Sequence, residues 1–208
     1  MLNLLRKDYI ALKSSLWVIL FYFFVFSVAF IPTVEVSMYF VGIYTAFSSI
    51  MLATMNDIKN NNHKFLVTLP ISRTNIVQAK YLSAILYSLC GVLASFGAHR
   101  LVNFIFPELN KPDVSVLDIL IAVGIVLVLI SIYMPLFYAL SKKGAGIIQT
   151  VFLIVLIILA QPVASILSMA GENGMGRASV YVFVSVCILL LFIASYFVTV
   201  RLFARKDL

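Results

Sequence analysis

The chain has 208 residues, of which 63% are hydrophobic and 11% are charged, and its formal net charge is +7. A soluble globular domain carries about 25% charged residues. This composition, with a mean hydropathy of +1.11, therefore excludes the soluble class and predicts an integral membrane protein. The positive charge does not indicate a nucleic-acid partner, because the basic residues lie at the ends of apolar segments and do not cluster with exposed aromatic residues.

Residues 1–15 have the pattern of an amphipathic helix that lies in the membrane interface, with its basic side chains on anionic headgroups. Its apolar stripe is Leu2, Leu5, Tyr9, Leu12 and Leu16, and its basic residues, largely off that stripe, are Arg6, Lys7 and Lys13. A cleaved signal peptide is the alternative, because Ser27–Ala29 offers a small-x-small site. We favour an uncleaved first span, because the apolar run continues to Pro32 and the chain beyond it is equally apolar.

Six apolar segments are near or above the roughly 20 residues that cross the hydrocarbon core of a bilayer. Only helices that satisfy their own backbone groups can lie in lipid. We therefore predict an all-α integral membrane protein with six transmembrane helices, forming a single transmembrane domain over residues 1–208. The predicted spans are 16–31, 36–55, 76–104, 116–140, 146–168 and 179–202.

Two local features inside these spans predict how the helices bend and pack. Pro135 and Pro162 lie within the fourth and fifth spans and predict kinks there. A narrow ridge of small residues on the third span permits close contact with another helix. The ridge consists of Ala84, Ser88, Gly91, Ser95 and Ala98.

The distribution of basic residues predicts that both termini are cytoplasmic, by the positive-inside rule. With this orientation three of the 15 Lys and Arg residues lie outside, at Arg100, Lys111 and Arg177. The other twelve lie inside, at Arg6, Lys7, Lys13, Lys59, Lys64, Arg73, Lys80, Lys142, Lys143, Arg201, Arg205 and Lys206.

The long polar insert between the second and third spans is the stretch with the clearest functional pattern. We call residues 56–75 the coupling loop; it begins with a solvated stretch up to Lys64. Phe65, Leu66 and Leu69 then follow at spacings of one, three and four, which places them on one face of a short helix. The loop thus presents a small apolar knob surrounded by basic residues.

The end of this short helix and the start of the next are marked by two residues. Pro70 cannot continue a helix, and it biases Leu69 toward an extended backbone. Ser72 then stands where an N-cap is expected, because its hydroxyl can accept a free backbone N–H of the third span.

The sequence LVTLPISR at 66–73, preceded by Asp57 and followed by Ile76, Val77 and Lys80, resembles the ABC-2 type permeases of ATP-binding-cassette exporters. The resemblance implies that the loop contains a coupling helix that docks on a separate P-loop ATPase subunit. It also implies a second permease copy, identical or related, and ATP and Mg bound by the ATPase, with no cofactor on this chain. An ordinary cytoplasmic loop with a proline turn is the alternative. The expected docking residues are Asp57, Lys59, His63, Lys64, Phe65, Leu66, Leu69, Pro70 and Arg73.

The function predicted from this resemblance is that of an ABC exporter permease in a bacterial cytoplasmic membrane. Small permeases of this kind include exporters of phenol-soluble modulins and bacteriocin-like peptides, and the aromatic-rich first two spans suit an amphipathic peptide or a lipid. A membrane anchor that recruits a cytosolic partner without transport is the alternative, and an intramembrane enzyme is a third. The chain lacks the P-loop and the G-x-S-x-G motif, and it has no mid-membrane pattern of metal ligands, so we expect no catalysis and no metal site.

Three other regions carry weaker expectations. His99, Arg100 and Asn103 fall at the outer end of the third span, where they are either an interfacial anchor or an outer gate that meets an anionic headgroup. Cys90 and Cys187 lie inside apolar segments and are expected to be small buried residues rather than a disulfide. Residues 165–177 form either a re-entrant hairpin or a simple loop. No charge is expected near the bilayer centre to bind a coupling ion.

Overall fold

We describe a computed structural model of the chain, which describes residues 2–34, 36–60, 71–109, 114–140, 147–148, 150–152, 154 and 177–205. These residues form six long helices and one short 3₁₀ turn at Pro107–Leu109. The helices are α1 (Leu2–Lys13), α2 (Leu16–Phe30), α3 (Ser37–Lys59), α4 (Arg73–Ile105), α5 (Val116–Ala139) and α6 (Arg177–Ala204).

Four of the described helices are long and apolar enough to cross a membrane, namely α3, α4, α5 and α6 from Val182 onward. Helix α2 has 15 residues, or about 22 Å at 1.5 Å per residue, which is shorter than the hydrocarbon core of about 30 Å. It counts as a span only together with α1, from which it is bent by 64°. The predicted fifth span, 146–168, lies mostly outside the described residues, and residues 165–176 lie entirely outside them. The described residues contain four candidate spans, or five if α1 and α2 count as one, so the prediction of six spans stays a prediction.

Helix α3 is the centre of the described bundle, since it packs against α1, α2, α4 and α5. Its side chains are buried around most of its circumference, as expected for a helix enclosed by other helices. The ring of Phe47 meets that of Tyr133 edge-on, with the centroids 5.4 Å apart, and the Thr54 hydroxyl lies 2.6 Å from the Tyr133 hydroxyl. Helix α3 therefore joins the beginning of the chain to its second half.

The predicted ridge of small residues lies in the contact between α3 and α4. A Cβ atom added at Gly91 would stand 2.6 Å from the backbone nitrogen of Ala46, and one at Gly42 would stand 3.3 Å from the Cβ of Ser95. Such distances require small residues on both helices. The prediction of a close helix contact is confirmed.

Helix α5 continues through Pro135 to Ala139, although the proline predicts a kink. Because proline has no N–H, the carbonyl of Ser131, four residues earlier, loses its helical donor. The Ser195 hydroxyl of α6 donates to that carbonyl at 2.7 Å, and the Tyr81 hydroxyl of α4 lies 2.7 Å from Ser195. A neighbouring helix thus satisfies the group that the proline leaves open.

Part of the aromatic content of the first two spans is used in packing. The rings of Phe26 and Tyr44 stack with centroids 4.9 Å apart, and those of Phe30 and Phe40 stack at 5.6 Å. Trp17, in contrast, is exposed on the outer face of α2. The aromatic residues therefore divide into a set that joins α2 to α3 and a set that faces outward.

Helix α1 is present as predicted, but a different face is buried. Leu4, Asp8 and Leu12 point into the bundle, whereas Tyr9, which we placed on the apolar stripe, is exposed. Residues four apart share a helix face, so the true inward stripe includes an acidic residue. The contact of the apolar stripe with the membrane interface stays a prediction, whereas the burial of Asp8 was not predicted, because a count of apolar residues does not detect its partners.

Candidate functional site

The candidate site is the end of the α3–α4 hairpin at which the coupling loop connects the two helices. Helix α3 ends at Lys59 and α4 begins at Arg73, while residues 61–70 lie outside the described residues. The Ser72 side chain accepts the N–H of Asn75 at 3.2 Å, which confirms the predicted N-cap.

Four charged side chains meet at this end, and we call Lys7, Asp8, Asp57 and Lys80 the charge cluster. Lys80 Nζ donates to Asp8 Oδ1 at 2.9 Å and forms a second ion pair with Asp57 Oδ2. Lys7 Nζ lies 3.2 Å from Asp8 Oδ1 and 3.2 Å from Asp57 Oδ1. The Ser83 hydroxyl donates to Asp8 Oδ2 at 3.0 Å. The charge cluster thus connects α1, the end of α3 and the beginning of α4.

The charge cluster is deeply buried, and its formal charges cancel. The side chains of Asp57, Asp8 and Lys80 are 1%, 3% and 5% exposed, while that of Lys7 is 27% exposed. Burying an isolated charge is very costly, so charged groups in protein interiors are paired and hydrogen-bonded. With two lysines against two aspartates, each buried charge has an opposite neighbour, and removal of one member leaves another uncompensated.

The pairing of Asp57 with Lys80 follows from the register of the hairpin. Gly42 lies opposite Ser95, and Ala46 lies opposite Gly91. In each of these pairs, and in the pair Asp57 with Lys80, the two residue numbers have the same sum. Antiparallel helices in constant register produce this relation, because both rise by the same distance per residue. The close packing in mid-helix therefore brings the two charges together.

Two further contacts hold the bases of the coupling loop. On the α3 side, Asn56 Nδ2 donates to the carbonyl of Ala11 at 3.0 Å and to Ser15 Oγ at 2.9 Å. On the α4 side, Arg73 Nη1 donates to the carbonyl of Ala204 at 2.7 Å. The last carbonyls of a helix lack intrahelical donors and attract cations, so Arg73 caps the end of α6. The two ends of the loop are thus attached to α1 and to α6.

The predicted docking residues divide into those that the structure describes and those outside it. Asp57 is buried in the charge cluster, Lys59 is exposed, and Arg73 is half-buried against α6. His63, Lys64, Phe65, Leu66, Leu69 and Pro70 lie outside the described residues. The contact of all these residues with an ATPase stays a prediction. The burial of Asp57 favours a role in holding the loop over a direct contact at the rim of a docking groove.

The predicted outer cluster is split by the structure. His99 is 1% exposed and points into the bundle, so its side chain is not an anchor in the headgroups. Arg100 is exposed, with its guanidinium 5.5 Å from the ring centroid of Phe96, and Asn103 is half-buried. His99 is one helical turn beyond Ser95 on the small-residue ridge, a spacing that could have identified it as buried. An outer gate at these residues stays a prediction.

The beginnings of α3 and α5 are joined by a further acidic residue, Asp118. The Tyr39 hydroxyl donates to Asp118, whose carboxylate also accepts the backbone N–H of Ser115 at 2.7 Å in a capping box. Asp118 therefore fixes the start of α5 and ties it to α3.

The described residues hold few chemical groups that could support catalysis or metal binding. Across the described residues, no three His, Cys, Asp or Glu side chains are close enough to hold a metal ion. Cys90 and Cys187 are free thiols. Both lie on exposed faces of their helices, so our expectation that they are buried was wrong.

Sequence reasoning missed Asp8 and Lys80 as partners. We counted Asp8 only as a charge on the inner side and Lys80 only as part of the motif. The signal for Asp8 is its spacing of four from both Leu4 and Leu12, which puts it on their face. The signal for Lys80 is a lone charge between the apolar positions Ala79 and Tyr81 at the start of an apolar helix.

The long apolar helices define a multi-pass integral membrane protein that has a buried cluster of four charged groups at one end of a central hairpin. Residues 3–204 match the model of the ABC-2 family transporter proteins, and the chain belongs to this family. Comparisons with curated proteins and with solved structures gave no match. The chain is therefore a membrane component of an ABC-2 transporter, without an ATPase domain of its own, and members of this family generally work with an ATPase subunit.

Proposed function

We propose that this chain is the permease subunit of an ABC exporter and that its coupling loop docks on a separate ATPase subunit. The family match supports a transporter whose energy comes from a partner. The observation that carries the proposal is the charge cluster, because it fixes both flanks of the loop at Asp57 and Lys80. A loop whose two ends are fixed can transmit a displacement to the helices that flank it, whereas a loop with mobile ends would move without displacing them.

The mechanism follows from the connections of the loop. Two copies of the chain, identical or related, would stand above two ATPase subunits that bind ATP and Mg. Closure of the ATPase pair would bring the two Phe65–Leu69 knobs together. The displacement would pass along α4, and through Asn56 and Arg73 to α1 and the end of α6. The excess of basic residues on the loop side supports a cytoplasmic location for the loop and both termini.

The proposed substrate is an amphipathic peptide or a lipid-like molecule. The outward-facing aromatic residues of α2, Trp17, Phe21 and Phe24, support this class, because they offer apolar surface beside the interfacial helix α1. Stimulation of ATP hydrolysis by amphipathic helical peptides, and not by polar peptides of equal length, is the expected result in the purified complex.

The docking proposal is tested by co-purification with a partner P-loop ATPase, for which the neighbouring reading frames are searched first. Phe65→Asp and Leu69→Asp each place a charge on the apolar knob, and we expect each to abolish co-purification while the permease still inserts. Val67→Asp is the matched control, because on the helix predicted from the sequence position 67 would lie opposite the face of Phe65 and Leu69.

Unchanged co-purification and unchanged ATP hydrolysis in the two knob variants would rule out the knob as the coupling element. Co-purification without substrate-dependent ATP hydrolysis in the wild type would instead identify a membrane anchor that recruits the ATPase without transport.

A further inference from the structure

We propose that Lys80 is a positioning residue that locks α1 to the base of the coupling loop, so that α1 moves with the loop as one unit. This inference deepens the proposed function, on which its consequence for transport rests. Its structural part concerns only the permease and can be tested without an ATPase.

Lys80 lies between two carboxylates that belong to different helices. Asp8 belongs to α1 and Asp57 to the end of α3, and Lys80 on α4 pairs with both. Ser83, one turn further along α4, also donates to Asp8. Both helices of the hairpin, α3 and α4, are therefore connected to α1 through the ammonium group of Lys80.

Helix α1 is attached to the rest of the chain by a sharp bend. Helix α1 has 12 residues and is joined to α2 across a 64° bend at Ser14 and Ser15. Such a short helix on a bent junction is not positioned by its covalent link. Its position depends on what its inward face contacts, and that face presents Asp8 between Leu4 and Leu12.

The two lysines of the charge cluster differ in how deeply they are buried. Lys7 reaches the same two carboxylates as Lys80, but it comes from α1 itself and is 27% exposed. Exposed ion pairs contribute little to stability, whereas loss of one partner from a buried pair is strongly destabilising. Lys80 is therefore the buried ammonium group that joins α4 to α1, while Lys7 adds a more exposed ion pair between α1 and α3.

The charge count permits a variant that removes the lock without leaving a buried charge unpaired. Lys80→Met alone leaves two carboxylates with one lysine, and we expect a shift of the folding equilibrium on the order of a hundredfold. Lys80→Met combined with Asp57→Asn leaves Lys7 and Asp8 as a balanced pair. We expect this double variant to recover the folded protein but to hold α1 to α4 more weakly, because the hydrogen bond from Ser83 to Asp8 then acts without the Lys80 ion pair.

The experiment measures a distance between spin labels at Arg6→Cys and Asn75→Cys, both exposed positions, in a chain whose native cysteines are replaced by alanine. We expect a narrow distance distribution in the parent and in the control Lys7→Met. We expect a clearly broader distribution in the balanced double variant. In the complex, the double variant should lose the stimulation of ATP hydrolysis by substrate.

Three results would overturn the lock. One is a narrow, unchanged distribution in the double variant; another is equal destabilisation by Lys7→Met and Lys80→Met. The third is a double variant that folds no better than Lys80→Met, which would contradict the charge balance. Failure of the parent chain to bind any ATPase would overturn the proposed function and leave the distance result for the lock intact.

Discussion

At the scale of single residues, Gly91 lies directly against the backbone of α3. A Cβ there would stand 2.6 and 2.7 Å from backbone atoms of Ala46, which cannot move as a side chain can. At Gly97, on the same helix, an added Cβ would meet nothing within 4 Å. Two glycines of one helix therefore differ in what a methyl group would do.

We predict that Gly91→Ala destabilises the protein by about 1–3 kcal/mol, because α3 and α4 must separate to admit the methyl group. Gly97→Ala, the matched control, should be neutral or stabilising by about 0.5–1 kcal/mol, since alanine favours the helix. Thermal unfolding in detergent, followed by the fraction that remains monodisperse, measures both. Equal stability of the two variants would show that the close approach is absent.

The residue scale also shows what a sequence can predict. Ser72 was predictable as an N-cap, because capping depends on a side chain and the three residues after it. Gly91 was predictable as part of a ridge, because a helix repeats at fixed spacing. The pairing of Asp8 with Lys80 was not, because it depends on where α1 docks, and residues 72 positions apart carry no local signal.

At the scale of elements, α5 and α6 are joined through the carbonyl that Pro135 leaves without a helical donor. Ser195 donates its hydroxyl proton to the carbonyl of Ser131, and the Tyr81 hydroxyl lies 2.7 Å from the Ser195 hydroxyl and 2.8 Å from that of Thr199. These contacts connect α4, α5 and α6. The proline and the serine should therefore be energetically coupled.

We predict that Ser195→Ala costs about 1–3 kcal/mol, the typical penalty of an unsatisfied buried polar group. In a Pro135→Ala background the cost should be smaller, because alanine restores an N–H to the Ser131 carbonyl. Ser131→Ala is the control, since its hydroxyl bonds only within α5, to Leu127 at 2.8 Å, in the part of the chain that the structure describes. Additive effects in the double-mutant cycle would contradict the coupling.

The junction of α4 with the end of α6 depends on Arg73. We predict that Arg73→Met accelerates amide hydrogen exchange in the last turn of α6, because the carbonyls of Phe203 and Ala204 lose a charged donor. Arg201→Met, a charge removed from an exposed position in the same turn, is the control and should change exchange little. Equal acceleration by both variants would show that net charge, and not the contact of Arg73, protects this turn.

The bounds of the elements show why some spans were predicted better than others. The predicted spans 36–55, 76–104 and 116–140 correspond to α3, α4 and α5. Helix α3 runs on to Lys59 because Asp57 finds buried partners, so the polar end stays helical. Helix α4 begins at Arg73, directly after the predicted N-cap Ser72. The predicted first span 16–31 corresponds to α2, and the break at Ser14 and Ser15 lies at the predicted boundary with the interfacial helix.

At the scale of the whole molecule, the predicted orientation places the coupling loop in the cytoplasm and the 3₁₀ turn at Pro107–Leu109 outside. We predict that a membrane-impermeant thiol reagent labels Glu108→Cys in intact cells but labels Asn60→Cys only after the membrane is opened, in a chain whose native cysteines are replaced. Labelling of both positions in intact cells, or the reverse pattern, would contradict the orientation.

For the whole molecule, we propose that a partner ATPase moves the permease through the coupling loop, whose ends are fixed by the charge cluster. The apolar face of the loop has to touch the ATPase for this account to hold. A photo-crosslinking amino acid at position 65, in the assembled complex in native membranes, tests the contact most directly. The account predicts a crosslink to the ATPase from position 65 and none from position 108. Crosslinks from position 65 to lipid or to the permease alone would contradict it.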